Sequence, residues 1–277
     1  MDDALIFDET LDAGLQMRRL LAIMARLRDP ETGCPWDIEQ DFASIAPYTI
    51  EEAYEVADSI AREDWPGLEG ELGDLLLQSV YHAQMGAEAG HFTFASVAKG
   101  ASDKMVARHP HIFGAESREK SAEQQTEDWE KIKAAERAGA GEAGVLDGVA
   151  LALPALMRAA KLQKRAARVG FDWPAIDEVL AKLQEEAAEL AEARELGPEA
   201  LEEEMGDLLF VAANLSRWLG VEPETALRKA NDKFTRRFKV IEAELQARGK
   251  TPATSSLEEM DAIWNEVRAA DKANTSA

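Results

Sequence analysis

Apolar side chains return along this chain every three or four residues, the spacing that lines one face of an α-helix. Leu15, Leu20, Ile23, Met24 and Leu27 make one such stripe, and Leu75, Leu76, Val80 and Ala83 make another. No run of alternating β-branched residues interrupts the pattern, so the expected fold class is all-α. The periodicity predicts helices near residues 12–28, 47–62, 67–88, 94–107, 119–137, 151–168, 175–195, 198–219, 222–247 and 257–270. Proline and glycine mark the breaks at Asp29–Trp36, at Trp65-Pro66-Gly67 and at Leu196-Gly197-Pro198. The stretch Ala138-Gly139-Ala140-Gly141-Glu142-Ala143-Gly144 has the composition of a flexible linker.

The two sides of that linker repeat each other. Trp36-Asp37 corresponds to Asp172-Trp173, Glu51-Glu52 to Glu185-Glu186, and Glu71-Leu72-Gly73-Asp74 to Glu204-Met205-Gly206-Asp207. Further on, Asp103-Lys104 and Arg108 correspond to Asp232-Lys233 and Arg237, and Trp129 to Trp264. Conserved order and spacing of this kind indicate an internal duplication of one helical unit. The expected organisation is a tandem of helical bundles over 12–138 and 149–272, joined by a linker at 139–148.

Composition narrows what such a protein handles. A formal charge of −22 over 277 residues argues against a nucleic-acid polymer as partner, because phosphate backbones are held by concentrated lysine and arginine. A small phosphorylated ligand stays compatible, since a bound metal reverses the local field. One cysteine, Cys34, forms no intramolecular disulfide and fits a reducing compartment. With an acidic N-terminus and no apolar run of membrane-spanning length, the expectation is a cytoplasmic protein without membrane association.

The acidic residues carry the chemistry. Glu52 and Glu55, then Glu71 and Asp74, form E-x-x-E and E-x-x-D pairs, and Glu186, Glu189, Glu204 and Asp207 repeat them. Residues three apart share a helix face, so two such helices side by side gather four carboxylates that repel one another unless a cation sits among them. A single acidic pair in so acidic a chain is ordinarily solvated surface. Here the pattern is doubled and adjoins the apolar stripe, beside Leu183 and Leu190 and ahead of Leu208-Leu209-Phe210. Four carboxylates without imidazole or thiolate make a hard oxygen site, for Mg²⁺ first and Mn²⁺ second. A di-iron or zinc centre is disfavoured: all four histidines, His82, His91, His109 and His111, fall in the first half, and His109-Pro110-His111 reads as a turn element.

Magnesium keeps positions open for water and phosphate oxygens, so cations are expected nearby. Lys233 and Arg237, and before them Lys104 and Arg108, stand at i, i+4, on one face and able to hold a polyphosphate. Trp264 could stack on a base or cover the bundle. Gly139–Gly144 matches G-x-G-x-x-G without a preceding strand, and Gly249-Lys250-Thr251 lacks the first glycine of a P-loop, so neither is a phosphate loop.

Together, Gly33-Cys34-Pro35-Trp36-Asp37, Glu51-Glu52-Ala53-Tyr54-Glu55 and Glu71-Leu72-Gly73-Asp74 in the first half resemble the MazG family of all-α nucleoside triphosphate pyrophosphohydrolases. So do Val169-Gly170-Phe171-Asp172-Trp173, Glu185-Glu186-Ala187-Ala188-Glu189 and Glu203-Glu204-Met205-Gly206-Asp207-Leu208-Leu209 in the second, over about residues 15–270 in all. The resemblance implies Mg²⁺-dependent hydrolysis of NTPs and dNTPs to monophosphate and pyrophosphate by a homodimer. By position, Glu186, Glu189, Glu204 and Asp207 would hold the metal; Lys182, Glu185, Glu186, Glu203, Asp207, Lys233 and Arg237 would line the nucleotide site, with Trp264 at the base. Lys233 and Arg237 would stabilise the departing pyrophosphate, and Glu185 is a candidate proton acceptor. Tyr48 stands where the second half has Lys182, and Gly70 where it has Glu203. The C-terminal copy is therefore the expected catalyst, the first serving dimerisation or regulation. The competing readings are a nucleotide-binding regulator, a hydrolase of a signalling nucleotide such as a guanosine polyphosphate, and a helical scaffold.

Overall fold

The structure, a computed structural model, describes Ile6 and residues 12–115, 119, 121–139 and 144–275. Among these residues every regular element is a helix, and the chain divides into two compact units, Met1–Ile132 and Lys133–Ala277. The division falls inside a helix, Ala122–Gly139, and residues 140–143 of the expected linker lie outside the described residues.

The first unit holds α1 (Ala13–Leu27), α2 (Pro35–Glu39), α3 (Phe42–Ala61), α4 (Trp65–Glu88), α5 (Phe94–Ala107), α6 (Pro110–Phe113) and most of α7 (Ala122–Gly139). α3 and α4 form an antiparallel hairpin, and α1 packs across α4. Met24, Ile45, Val80, Tyr81 and Met85 are the buried centre, with Leu20, Leu21, Leu77 and Phe94 against them. The second unit holds α8 (Ala155–Ala167), α9 (Ile176–Ala193), α10 (Pro198–Trp218), α11 (Pro223–Ala247), a 3₁₀ turn (Pro252–Thr254) and α12 (Leu257–Thr275). α9 and α10 are its hairpin, α8 lies across α10, and α11 pairs with α12 around Ile241, Leu245 and Ile263.

Several boundaries differ from the periodicity. α3 starts five residues earlier than expected because Asp41 and Ser44 form a reciprocal capping box, and Pro47 falls inside the helix. Trp65-Pro66-Gly67, read as a loop, is the first turn of α4: the Asp64 side chain accepts the Gly67 N–H at 3.1 Å, and Pro66 occupies a position where no N–H is needed. The His109-Pro110-His111 turn is a one-turn helix opened by Pro110, and Pro35 likewise opens α2 within the first expected loop. Gly197, at φ 116°, takes the chain into α10 through a backbone region closed to other residues.

Candidate functional site

Each hairpin brings its acids together. Oxygens of Glu186, Glu204 and Asp207 lie within 4.8 Å of one another, as do oxygens of Glu52, Glu55 and Glu71. Glu186 is 4% exposed; its Oε1 pairs with Lys182 Nζ at 2.8 Å, and its Oε2 has no hydrogen-bond partner. Glu52, its counterpart, also has a buried, unpartnered Oε2. A buried carboxylate oxygen without a donor costs about 1–3 kcal/mol or more, and a cation among the three carboxylates removes that cost. The donor set therefore fits a hard divalent ion.

The electrostatics agree. Loss of hydration, then the charges of Glu189, Glu186 and Asp207, hold the Glu204 carboxyl above its usual range. Glu189 is thus within electrostatic reach of the cluster, on the exposed side of α9. In the first half Glu52 and Glu71 are raised in the same way, by loss of hydration and then by Asp74 and Glu55 for the former, Glu55 and Asp74 for the latter. Beside the buried glutamate the halves differ. Lys182 donates to Glu185 at 2.7 Å as well as to Glu186, and these two carboxylates raise its pKa, so it remains a cation. Tyr48 at the equivalent position packs edge-to-face on Trp36, ring centroids 6.5 Å apart.

Above the second cluster opens a cleft of about 710 Å³. Lys182, Glu186 and Asp207 line part of it, and Leu146, Leu162, Gln163, Ala166, Gly170, Phe171, Asp172, Trp173, Phe210, Val211 and Asn214 line the rest. The loop before α9 is tied to α10 by Arg217, which pairs with Asp172 and donates to Asn214 Oδ1 at 3.1 and 2.8 Å. The first half ties its short helix α2 to α4 instead: Tyr81 Oη donates to Asp37 Oδ1 at 3.0 Å, and Arg28, paired with Glu88 at 2.8 Å, reaches the Asp37 carbonyl.

Of the residues singled out in the sequence, Lys182, Glu186 and Asp207 line the cleft, Glu204 completes the acid cluster, and Glu185 is held at its edge by Lys182. Glu203 is exposed on α10 and adds to the charge on Glu204. Lys233, Arg237 and Trp264 belong to the α11–α12 pair and do not line this cleft. Lys233 is exposed there; Arg237 pairs with Asp271 at 2.8 Å and lies over the Trp264 ring at 5.2 Å, while Trp264 packs on Phe234 and the local core. Gln163, Asn214 and Arg217 were not anticipated. One signal was available: Gln163 interrupts the apolar stripe Ala159, Leu162, Ala166 of α8, and a polar residue on a buried face has a task.

These features define a tandem all-α protein whose repeats each carry a carboxylate hairpin, with a nucleotide-sized cleft over the second. The sequence matches the MazG nucleotide pyrophosphohydrolase domain twice, at residues 40–113 and 175–241. It is 53% identical over 256 residues to the nucleoside triphosphate pyrophosphohydrolase of Escherichia coli K12, spanning 91% of this chain and 97% of that one. It is 41% identical over 261 residues to the nucleoside triphosphate pyrophosphohydrolase/pyrophosphatase MazG of Thermotoga maritima, spanning 94% and 99%. The chain belongs to the MazG nucleotide pyrophosphohydrolase family.

Proposed function

We propose that this protein hydrolyses nucleoside triphosphates, NTPs and dNTPs alike, to the monophosphate and pyrophosphate, in the cleft of its C-terminal unit. The observation that carries this reading is the joining, in one cleft, of a buried carboxylate with an orphaned oxygen, a lysine fixed as a cation and an apolar wall. Glu186, Glu189, Glu204 and Asp207 are the residues that would hold Mg²⁺, with Mn²⁺ as a substitute. When bound, the ion supplies neutralisation of phosphate charge and a more acidic water.

The chain's own groups do the rest. Lys182 keeps its proton and can turn from Glu185 and Glu186 toward a phosphate oxygen, where its charge opposes the build-up on the leaving group. Glu185, more than half exposed and outside the acid cluster, is then relieved of its lysine and free to take a proton from water. The apolar part of the lining lowers the polarity around the reacting phosphate. Lys233 and Arg237 would serve the pyrophosphate from α11, Arg237 after release from Asp271. The N-terminal copy, with Tyr48 in place of the lysine, serves dimerisation or regulation. Homodimer formation is supported by the exposed Ile50, Ile60, Trp65 and Leu72 of α3 and α4, which a second copy would cover. A cytoplasmic location accords with the single free cysteine.

The test is release of pyrophosphate and monophosphate from a panel of NTPs and dNTPs, with and without Mg²⁺, by wild type, Glu189→Ala and Glu55→Ala. Equal amounts of the two products are expected, lost without metal and in Glu189→Ala, and retained in Glu55→Ala. Saturable binding without products would make the protein a regulator; activity in Glu189→Ala with loss in Glu55→Ala would reverse the two halves.

A further inference from the structure

The segment that joins the two repeats does not behave as a free linker where it enters the second unit. Gly144–Val149, which takes in the end of the stretch expected to be flexible, is pinned. The Asp147 side chain accepts the Gly144 N–H at 2.7 Å, Gly148 turns the chain at φ 71°, and Val149 is only 9% exposed. From α8, Arg165 donates through one nitrogen to the Asp147 carbonyl and through another to the Gly148 carbonyl, the latter at 3.3 Å. A linker that only had to span a gap would leave those carbonyls to water, and would not restrain a long side chain to hold them.

What the pinning achieves is visible at Leu146. It sits within the held turn, between Gly144 and Asp147, and it lines the C-terminal cleft together with Leu162 and Ala166. Those two belong to α8 and flank Arg165 in sequence, so one stretch of helix supplies both the inner wall and the tether. Leu146 is nevertheless 48% exposed, whereas Val211 of the same lining is 8% exposed, which puts Leu146 at the rim, where the cleft meets solvent. An apolar side chain held at the rim of a cleft and left half in water gains its remaining burial from what enters the cleft.

We propose that Gly144–Val149 is a strap across the rim of the cleft, that Arg165 is the positioning residue that holds it, and that Leu146 closes on a nucleoside triphosphate bound inside. The proposal rests on the nucleoside triphosphate reading above. It adds a wall residue from outside both stretches that match the family domain, 40–113 and 175–241. Arginine suits the post: its planar fork presents separate N–H donors to two successive carbonyls in one fixed geometry, which a lysine ammonium does not. Because the strap is held through its backbone, Leu146 can be changed without loosening it. Covering the exposed half of a leucine is worth about fivefold in affinity.

The experiment measures KM and kcat for ATP in wild type, Leu146→Ala, Leu146→Met and Arg165→Gln. Alongside, hydrogen exchange of the Val145–Val149 amides is followed in Mg²⁺ with and without α,β-methylene ATP, whose binding is measured by calorimetry. Leu146→Ala and Arg165→Gln should raise KM about fivefold with kcat changed less than about twofold, and Leu146→Met should keep KM near wild type. The analogue should slow exchange in the strap of wild type and not in that of Arg165→Gln. Leu146→Ala protects the test against misfolding, since the side chain it shortens is half exposed. A lower melting temperature in Arg165→Gln with KM and exchange protection unchanged makes the tether a structural anchor alone and overturns the strap. Pyrophosphate release by Leu146→Ala with the wild-type KM also overturns the strap and leaves the hydrolysis reading standing. If wild type releases no pyrophosphate but the analogue binds and slows exchange in the strap, the strap stands and the hydrolysis reading falls. Absence of both binding and turnover overturns both.

Discussion

The two hairpins share a backbone plan and an acid cluster, yet among the described residues only the second pairs its buried glutamate directly with a lysine. Around Glu186 the sequence supplies Lys182 one helical turn upstream; around Glu52 it supplies Tyr48, which turns to Trp36 instead. Seven residues after Asp207 stands Asn214, bonded to Arg217; seven after Asp74 stands Tyr81, buried to 4% and bonded to Asp37. The second copy lines a cleft with Lys182 and Asn214, while the first has tyrosines, Tyr48 and Tyr81, at the same positions. A duplicated scaffold thus keeps the hairpin and its tether in both copies, while the lysine beside the buried glutamate belongs to the second alone.

The comparison breaks most sharply at its lysine. Lys182→Tyr, which copies the first half into the second, should lower pyrophosphate release by about 100-fold in a steady-state assay. Comparable activity in this variant would mean that the cation is not what separates the halves. Arg217→Ala frees both Asp172 and Asn214, and should raise KM for nucleoside triphosphates about tenfold, with a smaller fall in kcat. Tyr81→Phe removes the corresponding tether in the first half. It should cost about 1 kcal/mol in denaturant unfolding without a change in KM.

Protonation sharpens the contrast further. Glu204 has a raised folded-state pKa, so its favourable contribution is full below the usual value of 4.5 and is lost as pH rises through the folded value. Metal-free Glu204→Gln should therefore melt above wild type at pH 7, the difference closing below pH 4.5, and Glu71→Gln should do likewise. Asp271 runs the other way. Arg236 and then Arg237 lower its pKa to about 2, so its contribution is present above 3.8 and lost as pH falls toward 2. Asp271→Asn should lower the melting temperature slightly at pH 7 and match wild type below pH 2, the smallest of these effects because solvent reaches and screens the pair.

Helix content, the duplication and the acid clusters were legible because each is written in local spacing: a 3.6-residue apolar stripe, a repeated motif, carboxylates three apart. Boundaries were less so. The expected start near residue 47 missed the Asp41–Ser44 box, which begins α3 five residues earlier and carries the helix through Pro47. The far wall of the cleft was illegible for another reason. Gln163 on α8 meets the Phe210 carbonyl on α10 across 47 positions, and no periodicity within either helix records that meeting. Arg237 stood out by its spacing to Lys233, but the spacing says nothing of Asp271, which occupies it.

The acid cluster from Glu186 to Asp207 spans twenty-two residues of one hairpin, closed by the short turn through Gly197. Contacts this local form early when a chain collapses, because little loop entropy must be given up to close them. In refolding from denaturant the carboxylates should meet before α8 docks and supplies Gln163. A stopped-flow experiment would then find Mg²⁺ changing the first phase of refolding, while nucleotide affects only the later phase in which the cleft acquires its wall.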